Sequence, residues 1–371
     1  MEFKTEKNSL LRGLTKVQGI TGRKTNIPIT SNVLISAKQT QVSLLATDLE
    51  IAFQGNYKAD VLVEGSTAVP SRKLYEIIRE FPSNIVRVKE LENKWIQIAD
   101  DKVEYDIVGM VPDEFPGLPN VEGIELFELE AMVLKNMIEK TIYAVLADEG
   151  RAHLAGVFFE TIMQGDVKTL RMVSTDGHRL SRIDQSMEQG EDFVLKEGVI
   201  VPKSGVVEVL RLLEGGEKIR IGFKDNNFIV NRDLEKLIIR LIEGEFPDYE
   251  LVIPKKKTGE LRVKKEDFLM MLKRMSILSS DKYRSVRFRI DKGQIETTTT
   301  NPEIGESREV LPVVYTGEMI DIGFNPRYFI DAMSTMKSDE VVIKLSDEAT
   351  PCILEGENDP GFLGVIMPMR I

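Results

Sequence analysis

Apolar residues recur at helical spacing in three segments of the chain that share one pattern. The apolar positions are Leu10, Leu14 and Val17 in the first segment, Leu134, Ile138 and Val145 in the second, and Phe268, Leu272 and Met275 in the third. This spacing predicts amphipathic helices whose apolar faces pack on a core. The segments start at residues 3, 127 and 261, which indicates a threefold internal repeat.

A second helix in each repeat begins next to a proline, at Pro70, Pro202 and Pro326. Proline is favoured in the first helical turn because its missing N–H would have no helical partner there. Alternating apolar and polar runs between the helices predict antiparallel strands. The pattern therefore predicts an α+β fold of three repeated domains, 1–121, 122–254 and 255–371, with two helices packed on antiparallel sheets in each. The helices are expected over 6–20, 71–80, 130–146, 203–214, 264–278 and 325–337.

Charge is unevenly divided between these helices and the rest of the chain. The six helical segments carry 16 lysines and arginines against 10 aspartates and glutamates, a net +6. The whole chain carries −11, so the remainder carries −17. An acidic chain does not attract DNA, whereas a basic helical layer on an acidic body is suited to bind it. The same pattern is also typical of helices that simply place lysine on a solvated face.

Few residues suit metal or nucleophile chemistry. His153 and His178 are the only histidines, and Cys352 is the only cysteine, so no internal disulfide can form. The sequence has no cluster with metal-ligand spacing, no phosphate-binding glycine loop and no nucleophile elbow. We therefore expect no cofactor and no metal. The sequence shows no signal peptide and no run of about 20 apolar residues, so we expect a cytoplasmic protein that does not enter membranes.

The stretch VSTDGHRLSRID, residues 173–184, combines a histidine with charged neighbours. Asp176 followed by Gly177 favours a hairpin turn. Asp176 beside His178 is also compatible with acid–base catalysis, although no nucleophile or metal ligand accompanies the pair. The third possibility is an anchor for a binding partner. The first repeat has Thr47 and Asp48 at the corresponding place, so we expect the Thr-Asp part to be architectural.

The threefold repeat, TDGHRL at 175–180, AGVFFE at 155–160 and the C-terminal VIMPMRI together resemble the bacterial sliding clamp, the beta subunit of DNA polymerase III. The resemblance extends over the whole chain. It implies that two chains close head to tail into a ring whose helices line a hole for duplex DNA. It implies a processivity factor without catalytic activity. The implied partners are a second copy of the chain, duplex DNA, the polymerase III alpha subunit, the clamp loader, and other polymerases and repair proteins that carry short linear motifs.

The resemblance also implies a peptide-binding pocket between the central and C-terminal domains. Its expected members are Leu154, Thr175, Gly177, His178, Arg179, Leu180, Pro247, Val252, Val365 and Met367. A neighbouring subsite is expected to use Arg151, His153, Asn325, Tyr328, Pro368, Met369 and Arg370. The aliphatic side chains form a socket for apolar anchors, and His178 and Arg179 offer polar contacts that orient the peptide. His153, Ala155 and Leu251 depart from the common family residues, so partner preference is expected to differ in detail.

The resemblance implies two further sets of residues. Arg23 and Lys24 match a family loop whose basic residue contacts DNA. Further DNA candidates follow from their helical positions alone: Lys7, Arg12, Lys73, Arg79, Lys203 and Arg274. The ring contact is expected to join Ile277 and Leu278 of one chain to Tyr105 and Ile107 of the other.

Two other functions remain open from the sequence. The first is a DNA-modifying or hydrolytic enzyme that uses Asp176 and His178, which predicts a turnover that is lost when His178 is replaced. The second is a protein scaffold that does not bind DNA, which predicts no retention on circular DNA.

Overall fold

The computed structural model describes residues 1–22, 27–121, 123–146, 150–187, 194–195, 197–215, 217–256, 258–278 and 285–370. The chain forms two compact units, described separately here. Unit 1 comprises Met1–Leu134 and Ser204–Leu241, and unit 2 comprises Lys135–Lys203 and Ile242–Ile371.

The described residues form six α-helices, which follow the predicted segments closely. They are α1 Lys7–Thr21, α2 Ser71–Glu80, α3 Ala131–Glu139, α4 Lys203–Leu213, α5 Lys265–Met275 and α6 Pro326–Thr335. Five of the predicted segments differ from these bounds by no more than a few residues at each end. The expected helix over 130–146 is too long, because α3 ends at Glu139 and Val145 follows a short 3-10 turn, where it is still buried.

The early end of α3 has a local cause. The Thr141 hydroxyl donates to the carbonyl oxygens of Met137 at 2.9 Å and Ile138 at 3.2 Å, which are acceptors that a continuing helix would use. Side-chain bonds of this kind compete with the helical backbone ladder.

The strands of the described chain are numbered in chain order. They are β1 Glu2–Glu6, β2 Asn32–Lys38, β3 Gln41–Thr47, β4 Ile51–Lys58, β5 Asp60–Val63, β6 Gly65–Pro70, β7 Ile85–Glu90, β8 Trp95–Ala99, β9 Glu104–Val108, β10 Phe127–Glu130, β11 Gly156–Gln164, β12 Val167–Thr175, β13 Arg179–Ser186, β14 Val199–Pro202, β15 Lys218–Lys224, β16 Asn227–Arg232, β17 Glu235–Arg240, β18 Gly259–Lys264, β19 Val286–Asp291, β20 Gln294–Asn301, β21 Gly305–Pro312, β22 Val314–Tyr315, β23 Ile320–Phe324, β24 Glu340–Leu345, β25 Cys352–Gly356 and β26 Phe362–Ile366.

Among the described residues, each unit contains two antiparallel sheets. In unit 1 the strand orders are β5-β1-β7-β8-β9 and β10-β15-β16-β17-β4-β3-β2-β6. In unit 2 they are β14-β11-β12-β13-β26-β25-β24-β18-β22 and β21-β20-β19-β23. The expected α+β class with helices on antiparallel sheets is confirmed.

Two sheets continue across the predicted domain boundaries. In unit 1, β17 pairs with β4, and in unit 2, β13 pairs with β26. Strands from neighbouring repeats therefore share one hydrogen-bond ladder, and the compact units do not follow the repeats. The boundaries at 121 and 254 stay predictions.

A buried ion pair joins the end of α3 to the turn before β26 within unit 2. The Lys140 ammonium donates to the Asp359 carboxylate, and both side chains are almost fully buried. The backbone N–H groups of Lys337 and Ser338 each donate to the same carboxylate at 2.9 Å. Burial alone would raise the pKa of Asp359, but these hydrogen bonds lower it to about 2. The pair therefore fixes where β26 begins.

We expect the Lys140→Met variant to lose about 3 kcal/mol of unfolding free energy at pH 7, because the buried Asp359 carboxylate keeps no charged partner. The pKa of Asp359 is lowered in the folded chain, so the stabilisation is present above its unfolded pKa and is lost as pH falls towards 2. The difference between variant and native chain should therefore shrink at pH 3. Urea unfolding followed by circular dichroism at both pH values measures it.

The control is Arg72→Met, which removes an exposed ion pair with Glu76 and should leave the unfolding curve unchanged. Equal midpoints for the native chain and Lys140→Met at pH 7 would contradict the assigned role of the pair.

Candidate functional site

The hairpin between β12 and β13 is a side-chain-capped turn, as one interpretation of the sequence predicted. The Asp176 Oδ1 accepts from the backbone N–H groups of His178 at 2.9 Å and Arg179 at 3.0 Å. The Thr175 Oγ1 accepts from the Gly177 N–H at 3.1 Å. Gly177 has φ of +88°, a left-handed conformation that favours glycine. The turn leaves His178 exposed at the surface.

The C-terminal strand β26 pairs directly with this hairpin. Leu180 lies opposite Val365 in the ladder, and the Met367 N–H donates to the His178 carbonyl at 2.9 Å. Neighbours on adjacent strands project to the same face of a sheet, so the Leu180 and Val365 side chains lie together. Both are buried, in a cluster with Val173, Tyr249 and others.

A cavity of about 310 Å³ opens beside this strand pair in unit 2. Its lining residues are Arg151, His153, Leu154, Thr175, Gly177, Arg179, Leu180, Pro247, Asp248, Tyr249, Val252, Val365 and Met367. The structure thus brings together nine of the ten residues expected in the main pocket, and Arg151 and His153 of the neighbouring subsite. The cavity combines aliphatic walls with a rim of histidine and arginine, which suits a short peptide with apolar anchors.

The other expected subsite residues do not line this cavity. The His178 ring faces Tyr328 with 6.5 Å between ring centroids, so Tyr328 lies next to the hairpin. Asn325 is buried, and its side-chain oxygen accepts from the Arg327 N–H at the start of α6. The Met369 N–H donates to the Gly323 carbonyl at 2.8 Å. Pro368 is half-buried and Arg370 is exposed.

Arg179 is engaged within the chain, which differs from the expectation that it orients a peptide. Its guanidinium donates to Asp176 at 2.9 Å, to Asp331 at 2.6 Å and to the Tyr143 carbonyl at 2.8 Å. The group also lies over the Tyr328 ring at 4.8 Å. These contacts hold the hairpin against α6, so the polar function of Arg179 is mainly to fix the pocket wall. The Asp176 carboxylate is likewise occupied by the turn, which does not favour a catalytic pair with His178.

Tyr249 and Asp248 line the cavity but were not predicted from the sequence. The Tyr249 hydroxyl donates to Glu160 and accepts from Arg171 at 3.0 Å. Burial, together with the bond to Glu160, raises the pKa of Tyr249. Arg171 also donates to both carboxylate oxygens of Asp184, at 2.7 and 2.8 Å. The repeat contained a signal for Tyr249, because FPDYELV at 246–252 matches FPGLPNV at 115–121 and puts Tyr249 at the place of Leu118.

The expected DNA-binding residues differ in their surroundings. Lys73, Arg79 and Arg274 are exposed and pair with the acidic neighbours Glu76, Glu80 and Glu309. Exposed pairs are weak and exchange partners readily, so these side chains can turn to a phosphate. Lys7 donates to the Phe81 carbonyl at 2.5 Å, and Arg12 is exposed beside Glu235. Lys203 is half-buried. The two loop candidates, Arg23 and Lys24, lie outside the described residues.

A cleft of about 660 Å³ in unit 1 adds basic residues that the sequence analysis missed. Lys16, Arg211 and Arg232 line it together with Arg12. Each lies near an acidic group or a carbonyl, and Lys16 contacts the buried Glu235. Burial lowers the pKa of Lys16 despite this contact.

The expected ring-contact residues lie on exposed parts of their own units. Tyr105 is 43% exposed and Ile107 is half-buried on β9, which is the edge strand of a unit 1 sheet. In unit 2, Ile277 is 75% exposed after α5, and Leu278 is half-buried, with its carbonyl bonded to Asn301 at 2.9 Å. An edge strand and an exposed apolar side chain both suit contact with another chain.

Within the described part of the chain, no group of three histidine, cysteine, aspartate or glutamate side chains is arranged to hold a metal ion. No helix in that part is long and apolar enough to cross a membrane.

Comparison with known proteins gives matches along the chain. Family models of the DNA polymerase III beta subunit match its N-terminal domain at 1–119, its central domain at 128–248 and its C-terminal domain at 250–370. The chain is 32% identical to the beta sliding clamp of Vibrio cholerae and 31% identical to that of Escherichia coli K12, with 100% of each chain covered.

Solved structures give the same result. The chain is similar to Caulobacter crescentus polymerase III beta, with a TM-score of 0.94, 30% identity and 100% of both chains covered. It is equally similar to a Bartonella birtlesii sliding clamp solved with griselimycin, with a TM-score of 0.94, 31% identity and full coverage of both chains.

Proposed function

Because the chain belongs to the beta sliding clamp family of DNA polymerase III, we propose that it is a processivity factor that encircles duplex DNA and tethers polymerases. Two copies form the ring, which binds DNA without sequence specificity and has no catalytic activity of its own. Short linear motifs of the polymerase alpha subunit, the clamp loader, and other polymerases and repair proteins dock in the unit 2 cavity. The protein acts in the cytoplasm.

One observation carries the proposal of a partner pocket. Residues from the hairpin at 175–180, the segment at 247–252 and the strand end at 365–367 lie far apart in sequence and line one cavity. That cavity has aliphatic walls formed by Leu154, Leu180, Val252 and Val365, with the adaptable side chain of Met367 at the strand end. Such a surface suits several partners with similar apolar anchors. The solved relative with bound griselimycin supports ligand binding by this family.

The polar rim supports orientation of a peptide. Arg151 lines the cavity and is exposed, and His178 is exposed on the adjacent hairpin but does not line the cavity, whereas Arg179 is held by the chain itself. We therefore assign direct polar contacts to Arg151, His153 and His178, and the fixing of the wall to Arg179. Tyr249 belongs to the wall as well, because its ring lines the cavity and its hydroxyl is held by Arg171.

We expect Met367→Ala and Leu180→Ala each to weaken binding of a client peptide about thirtyfold, since loss of a central apolar contact typically costs about 2 kcal/mol. Fluorescence anisotropy with a labelled client peptide measures the affinity. Leu62→Ala, which removes an exposed leucine of β5, is the matched control and should bind as the native chain does. Unchanged affinity in both pocket variants would remove the pocket assignment.

The dimer proposal predicts a folded monomer when Ile277 and Leu278 are both replaced by Asp. Charges placed in an apolar contact would be buried without partners. Light scattering gives the mass, and circular dichroism checks the fold. Met163→Asp, at another exposed apolar position, should stay dimeric. A stable dimer of the double variant contradicts this interface.

Topological linkage predicts that the protein stays on circular DNA at raised salt and leaves the same DNA once it is linearised. Direct phosphate contacts weaken with salt because basic residues displace counterions, but a closed ring leaves only by opening or by sliding off an end. Gel filtration of loaded DNA before and after a single cut measures retention. Equal loss from both forms would mean that the chain does not encircle DNA.

A further inference from the structure

Unit 1 contains a second copy of the framework that forms the pocket in unit 2. The Asp48 Oδ1 accepts from the N–H groups of Glu50 at 3.0 Å and Ile51 at 2.7 Å, as Asp176 does in the unit 2 hairpin. The Arg240 N–H donates to the Glu50 carbonyl at 2.8 Å, which repeats the bond between the end of β26 and His178. The same capped turn and the same hydrogen bond from the neighbouring strand therefore occur in both units.

Strand register extends this equivalence across four strands. In unit 1 the successive partners are Ala52, Ile238, Ile229 and Gly222, on β4, β17, β16 and β15. In unit 2 they are Leu180, Val365, Ile353 and Lys344, on β13, β26, β25 and β24. Cross-strand partners share one face, so each row forms a corresponding surface. The two surfaces have the same position relative to the turn.

The unit 1 surface is covered by its own chain. Ala52, Ile229 and Ile238 are buried, and four half-buried side chains pack against them. These four are Leu118, Val121, Ile124 and Leu126. Leu118 and Val121 correspond to Tyr249 and Val252, which line the unit 2 cavity. Ile124 and Leu126 are therefore the additional side chains that cover the unit 1 surface.

Gly222 allows this cover to lie close to the sheet. A Cβ atom at Gly222 would lie 2.6 Å from the Glu125 carbonyl oxygen, 3.0 Å from Ile124 Cδ1 and 3.1 Å from Leu126 Cδ2. The first distance is shorter than a side chain tolerates against backbone, so the segment fits only over glycine. Lys344 occupies the equivalent position in unit 2 and forms an ion pair with Glu355. The lysine removes the space that a covering segment needs.

The residues around the start of β10 in unit 1 and of β18 in unit 2 also differ. Phe127 of β10 pairs with Ile221, and Leu261 of β18 pairs with Ile343, so these positions correspond. Leu126 therefore corresponds to Glu260, and Ile124 corresponds to Thr258, which is exposed. Polar residues at these positions favour solvent over an apolar surface. In unit 2, Leu180 and Val365 of the corresponding row line the open cavity.

We propose that the segment Gly123–Leu126 is a built-in occupant of the unit 1 copy of the pocket. It packs two aliphatic side chains, those of Ile124 and Leu126, against a surface that corresponds to a wall of the partner cavity. It keeps that surface closed, so that each protomer has one open peptide site. Displacing the segment creates a second site for peptides with aliphatic anchors. The inference rests on the proposed function, because it takes the unit 2 cavity to be a peptide site.

The test uses the full chain and a labelled peptide with the sequence of residues 123–128, GIELFE. The uncovering variant is Ile124→Thr with Leu126→Glu, which introduces the residues that stand at the same register in unit 2. A second route is Gly222→Ala, which displaces the segment and leaves its side chains intact. Leu234→Glu makes the same kind of change at an exposed leucine and is the control. Calorimetric titration gives the stoichiometry, and circular dichroism checks the fold of each variant.

The native chain and the control should bind one peptide per protomer, and added Leu180→Ala should weaken that binding about thirtyfold. The uncovered variants should bind two, and the second site should persist when Leu180→Ala is added. Folded uncovered variants that still bind a single peptide, sensitive to Leu180→Ala, would overturn the inference. A third outcome separates the two proposals: the native chain binds no peptide, and the uncovered variants bind one peptide whose affinity does not change when Leu180→Ala is added. That outcome would support the unit 1 site and contradict the peptide site in unit 2.

Discussion

The pairing of β13 with β26 is the interaction on which the site depends. Buried backbone N–H and carbonyl groups need partners, so the ladder from Arg179–Ile366 to Ile183–Phe362 fixes the register of two segments that are distant in sequence. A slip of one residue would turn Leu180 and Val365 to the opposite face and remove the apolar wall. The pocket is therefore a consequence of strand register.

Charged groups then hold the walls in place around this ladder. Arg179 connects the hairpin to Asp331 of α6, and the buried pair of Lys140 and Asp359 fixes the turn that leads into β26. Loss of a partner is strongly destabilising for the buried pair of Lys140 and Asp359, and Arg179 is held by several contacts at once, so these links restrict the pocket to one arrangement. The walls are thus positioned before any ligand arrives, which lowers the ordering cost of binding.

Local sequence predicted much of this structure. Prolines placed the starts of α2, α4 and α6 correctly, and apolar spacing gave the buried faces of α1 and α5, because both signals act within a few residues. The family resemblance supplied most of the cavity lining. The internal engagement of Arg179 and the participation of Tyr249 were missed, since each depends on contacts between distant segments. The end of α3 was missed because the apolar spacing does not register the local side-chain bonds of Thr141. The internal repeat contains one further difference, because Gly222 in one repeat corresponds to Lys344 in another. Only the strand register of the folded sheets shows that these two positions correspond.

The most direct test of the account is hydrogen exchange of the native chain with and without a client peptide that carries aliphatic and aromatic anchors. If the ladder and the pocket are one structure, the peptide should slow exchange in 176–180 and in 363–367 together, in proportion to its occupancy. The corresponding unit 1 segments at 48–52 and 236–240 should not change. Protection confined to one of the two unit 2 segments, or found in neither, would contradict the claim that β13 and β26 jointly form the binding site.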